Sequence, residues 1–201
     1  TSACAPSLAP IPNYKWDFQA PICDGFRKEA IRGINTNEYD AIFIAARWEG
    51  YSDVLEDSIK QSITFAAQHS KGVFVFSQAP RFELNIGHCY IRGKVLPLSN
   101  GCHEGDIYEV SKDVSQVNAR LKAIVDNIPN AQIIDVSELI CVDNNCNPFI
   151  DKLPAYFDDN HLNIDGSRAL ASMYFLSPSG KEMVKHLQNF FLIDHQGASQ
   201  D

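Results

Sequence analysis

One short segment combines side chains that are suited to acid–base chemistry. Residues 156–162 read Tyr-Phe-Asp-Asp-Asn-His-Leu, so Asp158 stands three positions before His161. That spacing lets both side chains point into one pocket from a single loop. A carboxylate that fixes the tautomer and orientation of an imidazole makes that imidazole a usable general base. We therefore interpret His161 as a general base that Asp158 orients.

Two other interpretations of this segment stay open. His161 is also compatible with a solvated surface loop, or with a metal site that it would share with the adjacent aspartates. No second histidine lies nearby in the sequence, so we predict no metal site, and we predict no cofactor. Asp159 is the less favoured orienting residue, because aspartates in loops often cap a turn instead.

A general base of this kind requires a nucleophile, and no serine in the sequence has the expected context. Ser77 follows an apolar segment, but it lacks the Gly-x-Ser-x-Gly or Gly-Asp-Ser turn that would expose a nucleophilic hydroxyl at a helix N-terminus. Neither turn occurs around Ser2 or Ser52. The acid–base pair is thus predicted without its nucleophile.

Arg47 and Trp48 form a second pair of candidate residues. They directly follow the apolar run at residues 41–46, which has the length of a strand. Arg47 is suited to stabilising an anion, and Trp48 to stacking on a sugar or forming a pocket wall. We predict that both bind substrate; the alternative is that they pack against the following helix.

Apolar periodicity predicts the elements that would position these residues. Continuous apolar runs are typical of parallel strands buried on both faces, and they alternate here with segments of helical periodicity. The predicted strands are 41–46, 73–76 and 131–136, and the predicted helices are 24–35, 52–69, 110–128, 165–173 and a last one from Ser177-Pro178. Such alternation indicates an α/β fold with a mostly parallel sheet, whose ligands bind beyond the carboxyl ends of the strands. Residues 79–108 are predicted to form a loop-rich insertion.

Length and charge limit the class of protein. The 201 residues suit a single domain, and a net charge of −8 disfavours nucleic acid as a partner. No apolar run approaches the ~20 residues that would cross a bilayer, and Thr1-Ser2-Ala3-Cys4 does not resemble a signal peptide. We expect a mature or excised part of a longer protein.

The cysteines indicate an oxidising compartment. All six fall into sequential pairs without a Cys-x-x-Cys motif, which disfavours a zinc ribbon or a thioredoxin-like site. The simplest of the fifteen possible connectivities is three local disulfides, Cys4–Cys23, Cys89–Cys102 and Cys141–Cys146. Six reduced thiols in a cytosolic protein are the alternative. The disulfides would imply the periplasm, the cell surface or secretion.

Together these motifs resemble the SGNH-type domain fused behind the membrane-embedded acyltransferase-3 domain of bacterial O-acyltransferases. The resemblance covers nearly the whole chain. It rests most strongly on residues 156–162, which are similar to the final catalytic block of SGNH hydrolases, where the Asp and His of a triad are three residues apart. It also rests on the cysteine pairs, on residues 45–48 followed by Tyr51, and on Ala79-Pro80.

The resemblance implies a three-layer α/β/α, flavodoxin-like SGNH fold in one domain over residues 1–201. It implies a periplasmic domain of an inner-membrane protein, with the acyltransferase-3 transmembrane domain as its partner in the same polypeptide. The implied reaction is O-acyl transfer, most often of acetyl, to a hydroxyl of a cell-envelope glycan. A non-catalytic glycan-binding or docking module, or a secreted carbohydrate esterase, remain the alternatives.

The sequence departs from the family pattern at its start. No Gly-Asp-Ser occurs, so the first strand, the nucleophile turn and the first helix either lie upstream or are naturally absent from the domain. We expect them upstream, because a sheet without its central first strand would expose unpaired apolar edges, and we expect the 201 residues alone to be inactive. The Gly-x-Asn-Asp oxyanion block is also absent, and Arg47-Trp48 occupies its place. His161 and Asp158 would then serve a serine that this sequence does not contain.

Overall fold

The structure is a computed structural model that describes residues 4–8, 20–36, 39–96, 101–143 and 145–197, with the backbone alone at residues 20 and 190–197. The chain divides into two compact units. Unit 1 comprises residues 1–77, 117–134 and 185–201, and unit 2 comprises residues 78–116 and 135–184. The helices are α1 Ala20–Thr36, α2 Lys60–Gln68, α3 Ile86–Val95, α4 Lys112–Val125, α5 Ile164–Leu176 and α6 Pro178–Gly197. The strands are β1 Tyr39–Ile44, β2 Ser70–Phe76, β3 Tyr108–Glu109, β4 Ala131–Ile134, β5 Cys141–Val142, β6 Asn145–Cys146, β7 Phe149–Ile150 and β8 Leu153–Pro154.

Unit 1 contains a parallel sheet. Over the described residues its strand order is β1-β2-β4, and both pairings are parallel. In register, Ile42 pairs with Val73, and Val75 with Ile133. β2 lies between two neighbours, and residues 72–75 are buried, as its continuous apolar run predicts. These pairings confirm the predicted α/β class.

The core of unit 1 packs helical residues against this sheet. Leu55, Ile59 and Ile63 recur every four residues, and none has any exposed surface. Leu55 and Ile59 lie in a π-helical segment, Leu55–Ile59, which follows a 3-10 segment, Trp48–Val54, and Ile63 lies in α2. Burying each such side chain stabilises the fold by about 1.5–3 kcal/mol. The predicted helix over residues 52–69 is therefore helical from 52 to 68, although only its part from Lys60 onward is α-helical.

Unit 2 contains short antiparallel pairs around its own core. β6 pairs with both β3 and β5, and β7 pairs with β8. The buried aromatic rings of Phe82 and Tyr156 meet edge to face, with centroids 5.0 Å apart. This core supports the segment that carries Asp158 and His161.

The predicted loop-rich insertion contains a helix, so that prediction was wrong for α3. Asn85 caps α3, because its side-chain oxygen accepts the backbone N–H of His88 at 2.8 Å. Asparagine is a favoured N-cap, and this signal is present in the sequence. Gly87 and Gly93 obscure it, since glycine lowers helix propensity by about 1 kcal/mol.

Three disulfides confirm the predicted pairing. Cys4–Cys23 lies in unit 1, whereas Cys89–Cys102 and Cys141–Cys146 lie in unit 2. Closing loops of this size stabilises a domain by roughly 2–3 kcal/mol in the chain-entropy model. Within the described part of the chain, no helix combines the length and the apolar character needed to span a membrane.

Candidate functional site

A hairpin with one buried face and one exposed face carries the predicted acid–base pair. Tyr156 and Leu162 form an antiparallel bridge, and the Phe157 N–H donates to the His161 carbonyl at 2.8 Å. Tyr156 is 1% exposed, and Leu162 packs against the same core of unit 2. Since neighbouring residues of a strand point to opposite faces, Phe157 and His161 lie on the outer face. The hairpin thus exposes His161 while its other face is anchored.

The structure brings Asp158 and His161 together, as the spacing predicts. Oδ2 of Asp158 lies 2.8 Å from Nδ1 of His161. Oδ1 of the same carboxylate accepts the backbone N–H of Asn160 at 2.9 Å and that of His161 at 2.7 Å. A neutral imidazole that donates its Nδ1–H to this carboxylate keeps the lone pair on Nε2 available to accept a proton.

The same contacts keep Asp158 ionised. Partial burial by itself would raise the pKa of this carboxyl group. The backbone N–H groups of Asn160 and His161, together with the imidazole, outweigh burial and lower the pKa of Asp158 to about 2. The Asp158 side chain is 24% exposed and that of His161 is 69% exposed. An ionised, anchored carboxylate therefore supports an imidazole that solvent can reach.

Residues 81–87 hold the tip of the hairpin. The Phe82 N–H donates to the Asp159 carbonyl at 2.9 Å, and the Ile86 N–H donates to the Asp158 carbonyl at 3.2 Å. A Cβ atom added at Gly87 would lie 2.2 Å from the carbonyl oxygen of Phe157, so only glycine fits there. This support could not be predicted from the sequence, because contacts between segments about 70 residues apart leave no local pattern.

Asp159 has different partners from Asp158. Its carboxylate lies 3.5 Å from Nε of Arg81 and accepts the side-chain N–H of Asn160 at 3.0 Å. These contacts agree with the preference for Asp158 as the orienting residue.

The helix predicted over residues 165–173 begins slightly earlier in the structure, as α5. Asn163 caps α5 by accepting the Gly166 N–H at 2.7 Å. Asn163 also donates to the Pro154 carbonyl at 2.6 Å. It thereby fixes the chain immediately after His161.

Arg47 and Trp48 lie in unit 1, just after β1. Trp48 has no exposed surface, belongs to the core and donates its indole N–H to the Phe76 carbonyl at 2.7 Å. An indole without exposed surface has no face to offer a sugar, so the predicted stacking role does not fit, and the packing alternative does. The Arg47 side chain is 56% exposed and pairs with Glu49, with 2.6 Å between Nε and Oε1.

The serines that were considered and disfavoured as nucleophiles make hydrogen bonds of their own where the structure describes them. Ser77 is 7% exposed, and its N–H donates to the Ile134 carbonyl at 2.9 Å at the end of β2. Ser52 donates to Asp53 at 3.4 Å, whereas Ser2 lies outside the described residues. Among the residues that the structure describes, no three His, Cys, Asp or Glu side chains are arranged to hold a metal ion.

Comparisons with known proteins identify the fold and the family of the chain. The periplasmic domain of the lipopolysaccharide acetyltransferase of Salmonella ser. Paratyphi A has a similar structure, with a TM-score of 0.58 and 14% identity over 90% of this chain and 69% of that chain. At this identity the likeness shows the fold, and it confirms the predicted SGNH-type α/β architecture. No curated protein sequence matches the chain. The family model of SGNH domains fused to AT3 domains matches residues 1–175, and the chain therefore belongs to that family.

Proposed function

We propose that this chain is the periplasmic domain of a membrane-bound O-acyltransferase that transfers an acyl group, most often acetyl, to a hydroxyl of a cell-envelope glycan. The observation that carries the proposal is the 2.8 Å contact between Asp158 and His161 on an anchored, exposed hairpin. Membership of a family fused to AT3 domains supports acyl transfer. The similar fold of a lipopolysaccharide acetyltransferase domain supports a periplasmic location and a glycan acceptor.

In this mechanism His161 moves protons and Asp158 holds it in place. A serine Oγ attacks the carbonyl carbon of the acyl donor while Nε2 of His161 takes the serine proton. The tetrahedral intermediate then collapses to an acyl-serine, and the departing donor group takes the proton from His161. The sugar hydroxyl attacks the acyl-serine with His161 again as the base, which forms the new ester and restores the serine. Asp158 stabilises the imidazolium that forms in each step.

The proposal places the serine outside these 201 residues, because their sequence contains no Gly-Asp-Ser turn. The AT3 domain of the same polypeptide is the proposed transmembrane partner. The cysteine pairs fit this location, since three disulfides suit an oxidising periplasm.

Arg47 has a separate place in the proposal. Its guanidinium is more than half exposed at the end of β1, where it is suited to a negatively charged part of a substrate. Trp48 is proposed to act by packing, because its buried indole fixes the backbone next to Arg47.

The proposed function is tested in the full-length protein. His161→Ala and Asp158→Asn should each lower the initial rate of acetyl transfer to envelope polysaccharide by on the order of 10³–10⁴-fold, because each removes an oriented base. His103→Ala, which removes an exposed histidine of the same unit, should leave the rate unchanged. Membranes that contain the protein, labelled acetyl-CoA and polysaccharide from a strain lacking the gene allow the measurement.

The alternative of a non-catalytic glycan-binding module predicts a different result. Near wild-type transfer by His161→Ala would reject the catalytic role of this pair. Transfer that is lost in His161→Ala but retained in His103→Ala would support it.

A further inference from the structure

Phe157 is an exposed aromatic residue whose backbone is fixed on both sides. The side chain is 72% exposed. Its N–H donates to the His161 carbonyl at 2.8 Å, and Gly87 approaches its carbonyl oxygen so closely that a Cβ atom would be only 2.2 Å away. A single exposed apolar residue is ordinary in folded proteins, so its location decides whether it has a role.

The pairing of the hairpin places Phe157 beside His161. The bridge between Tyr156 and Leu162 sets the register in which Phe157 is directly opposite His161. Residues that are directly opposite in an antiparallel pair have side chains on the same face, with Cβ atoms about 5 Å apart. The ring is 72% exposed and the imidazole 69% exposed, so one ligand on the outer face could reach both side chains.

We propose that Phe157 binds the ring of the acceptor sugar next to His161. This inference rests on the proposed function and adds a binding site to it. A pyranose ring has an apolar face of C–H groups that packs on a flat aromatic ring, while its hydroxyl groups stay hydrogen-bonded to water or to polar side chains. The acceptor hydroxyl must come within hydrogen-bonding distance of Nε2 of His161, so the sugar ring must lie close to the imidazole.

The exposure of Phe157 favours the sugar over the acyl group as its ligand. A small acyl group is bound best where a pocket encloses it, because its affinity comes from removing apolar surface from water. A polymeric glycan is large and hydrated, and it requires an open surface because the polymer extends beyond the site on both sides. The open outer face of the hairpin fits the second requirement.

Because the backbone of Phe157 is fixed, binding a ligand to its ring costs little conformational entropy. An aromatic side chain has only two rotatable angles, so binding orders few degrees of freedom. The hydrogen bond to His161 also couples the position of Phe157 to that of the base. A sugar held by the ring is thereby held at a fixed place relative to the imidazole.

The test separates acceptor binding from chemistry in the full-length protein. Initial rates of transfer from labelled acetyl-CoA are measured at increasing concentrations of envelope polysaccharide from a strain lacking the gene. Phe157→Ala should raise the KM for polysaccharide about tenfold and change kcat less than about threefold, because stacking energy is lost from substrate and transition state alike. Phe157→Tyr keeps the ring and should stay within about twofold of wild type in both constants.

Phe175→Ala is the matched control, because it removes another exposed phenylalanine of unit 2, which lies on α5 and is 51% exposed. It should leave both constants unchanged. An unchanged KM in Phe157→Ala, or equal KM increases in Phe157→Ala and Phe175→Ala, would overturn the sugar site. A kcat loss without a KM change would overturn it too.

His161→Ala distinguishes this failure from failure of the proposed function. If His161→Ala abolishes transfer while Phe157→Ala leaves the KM unchanged, the sugar site is wrong and the catalytic pair stands. If His161→Ala retains transfer, the proposed catalytic function is wrong, and the sugar site that rests on it is rejected with it. Unchanged thermal unfolding of Phe157→Ala establishes that any KM effect is local.

Discussion

Trp48 and Phe157 are both aromatic residues next to a candidate functional residue, yet one is buried and the other is exposed. Trp48 follows Arg47 at the end of β1 and is fully buried, with its indole N–H bound to a strand carbonyl. Phe157 precedes Asp158 and is 72% exposed. Sequence patterns predicted substrate binding for Trp48 and no role for Phe157.

The difference in exposure follows from the element to which each residue belongs. Trp48 begins a helical segment, and its neighbours Leu55 and Ile59 belong to the same core. Phe157 lies in a hairpin whose side chains alternate between two faces, and Tyr156 already occupies the inner one. A large aromatic residue is therefore informative about binding only when its position on a face is known.

The largest stability difference should separate these two aromatic residues. Trp48→Ala should lower the free energy of unfolding by about 3–5 kcal/mol, because it leaves a cavity and removes the donor to the Phe76 carbonyl. Phe157→Ala should change the free energy by less than about 0.5 kcal/mol, because its ring is largely exposed. Chemical denaturation followed by circular dichroism measures both. Similar losses in the two variants would contradict the contrast.

A smaller effect is expected from the charge of Asp158. The folded state lowers the pKa of this carboxyl group to about 2, below its ordinary value of 3.8, so the folded protein binds fewer protons there than the unfolded chain. The resulting stability is complete above about pH 5 and is lost as the pH falls through 4 towards 2.

Asp158→Asn tests this expectation, because the variant lacks the charge. Wild type should be more stable than the variant by about 1–2 kcal/mol at pH 6, and this difference should shrink towards pH 2. Denaturation of both proteins at several pH values measures it. A difference that does not change with pH would mean that the carboxylate anchors the hairpin by its shape and not by its charge.

Most of the fold was accessible to prediction because it depends on local patterns. The apolar runs of β1, β2 and β4 predicted the parallel sheet, and the sequential cysteine pairs predicted the disulfides. α3 was missed, because its glycines serve close packing instead of helix propensity: Gly93 lies against Gly101. Such a requirement appears only when the neighbouring segment is in place.

In the candidate site, only the contact between residues of the same loop could be predicted. The spacing of Asp158 and His161 predicted their contact, because both residues belong to the same hairpin. The support by Phe82 and Ile86 was not predictable, since backbone donors carry no residue-type signal. The exposure of Phe157 could have been predicted from alternation in residues 156–162, had the segment been interpreted as a hairpin instead of a loop.

The smallest expected stability effect concerns Arg47, whose exposed ion pair contrasts with the buried indole beside it. Arg47→Ala should lower the free energy of unfolding by less than about 1 kcal/mol, because a partly exposed ion pair contributes little. Arg120→Ala is the matched control, since Arg120 is 43% exposed and pairs with Glu56 in the same unit.

Transfer kinetics in the full-length protein then separate structure from binding at Arg47. If Arg47 contacts a negatively charged part of a substrate, Arg47→Ala should raise the KM for that substrate about fivefold, an effect that salt should weaken. Arg120→Ala should leave the KM unchanged. An equal KM in the two variants would mean that Arg47 forms a surface ion pair and does not bind substrate. The segment after β1 would then contribute to the protein only through the packing of Trp48.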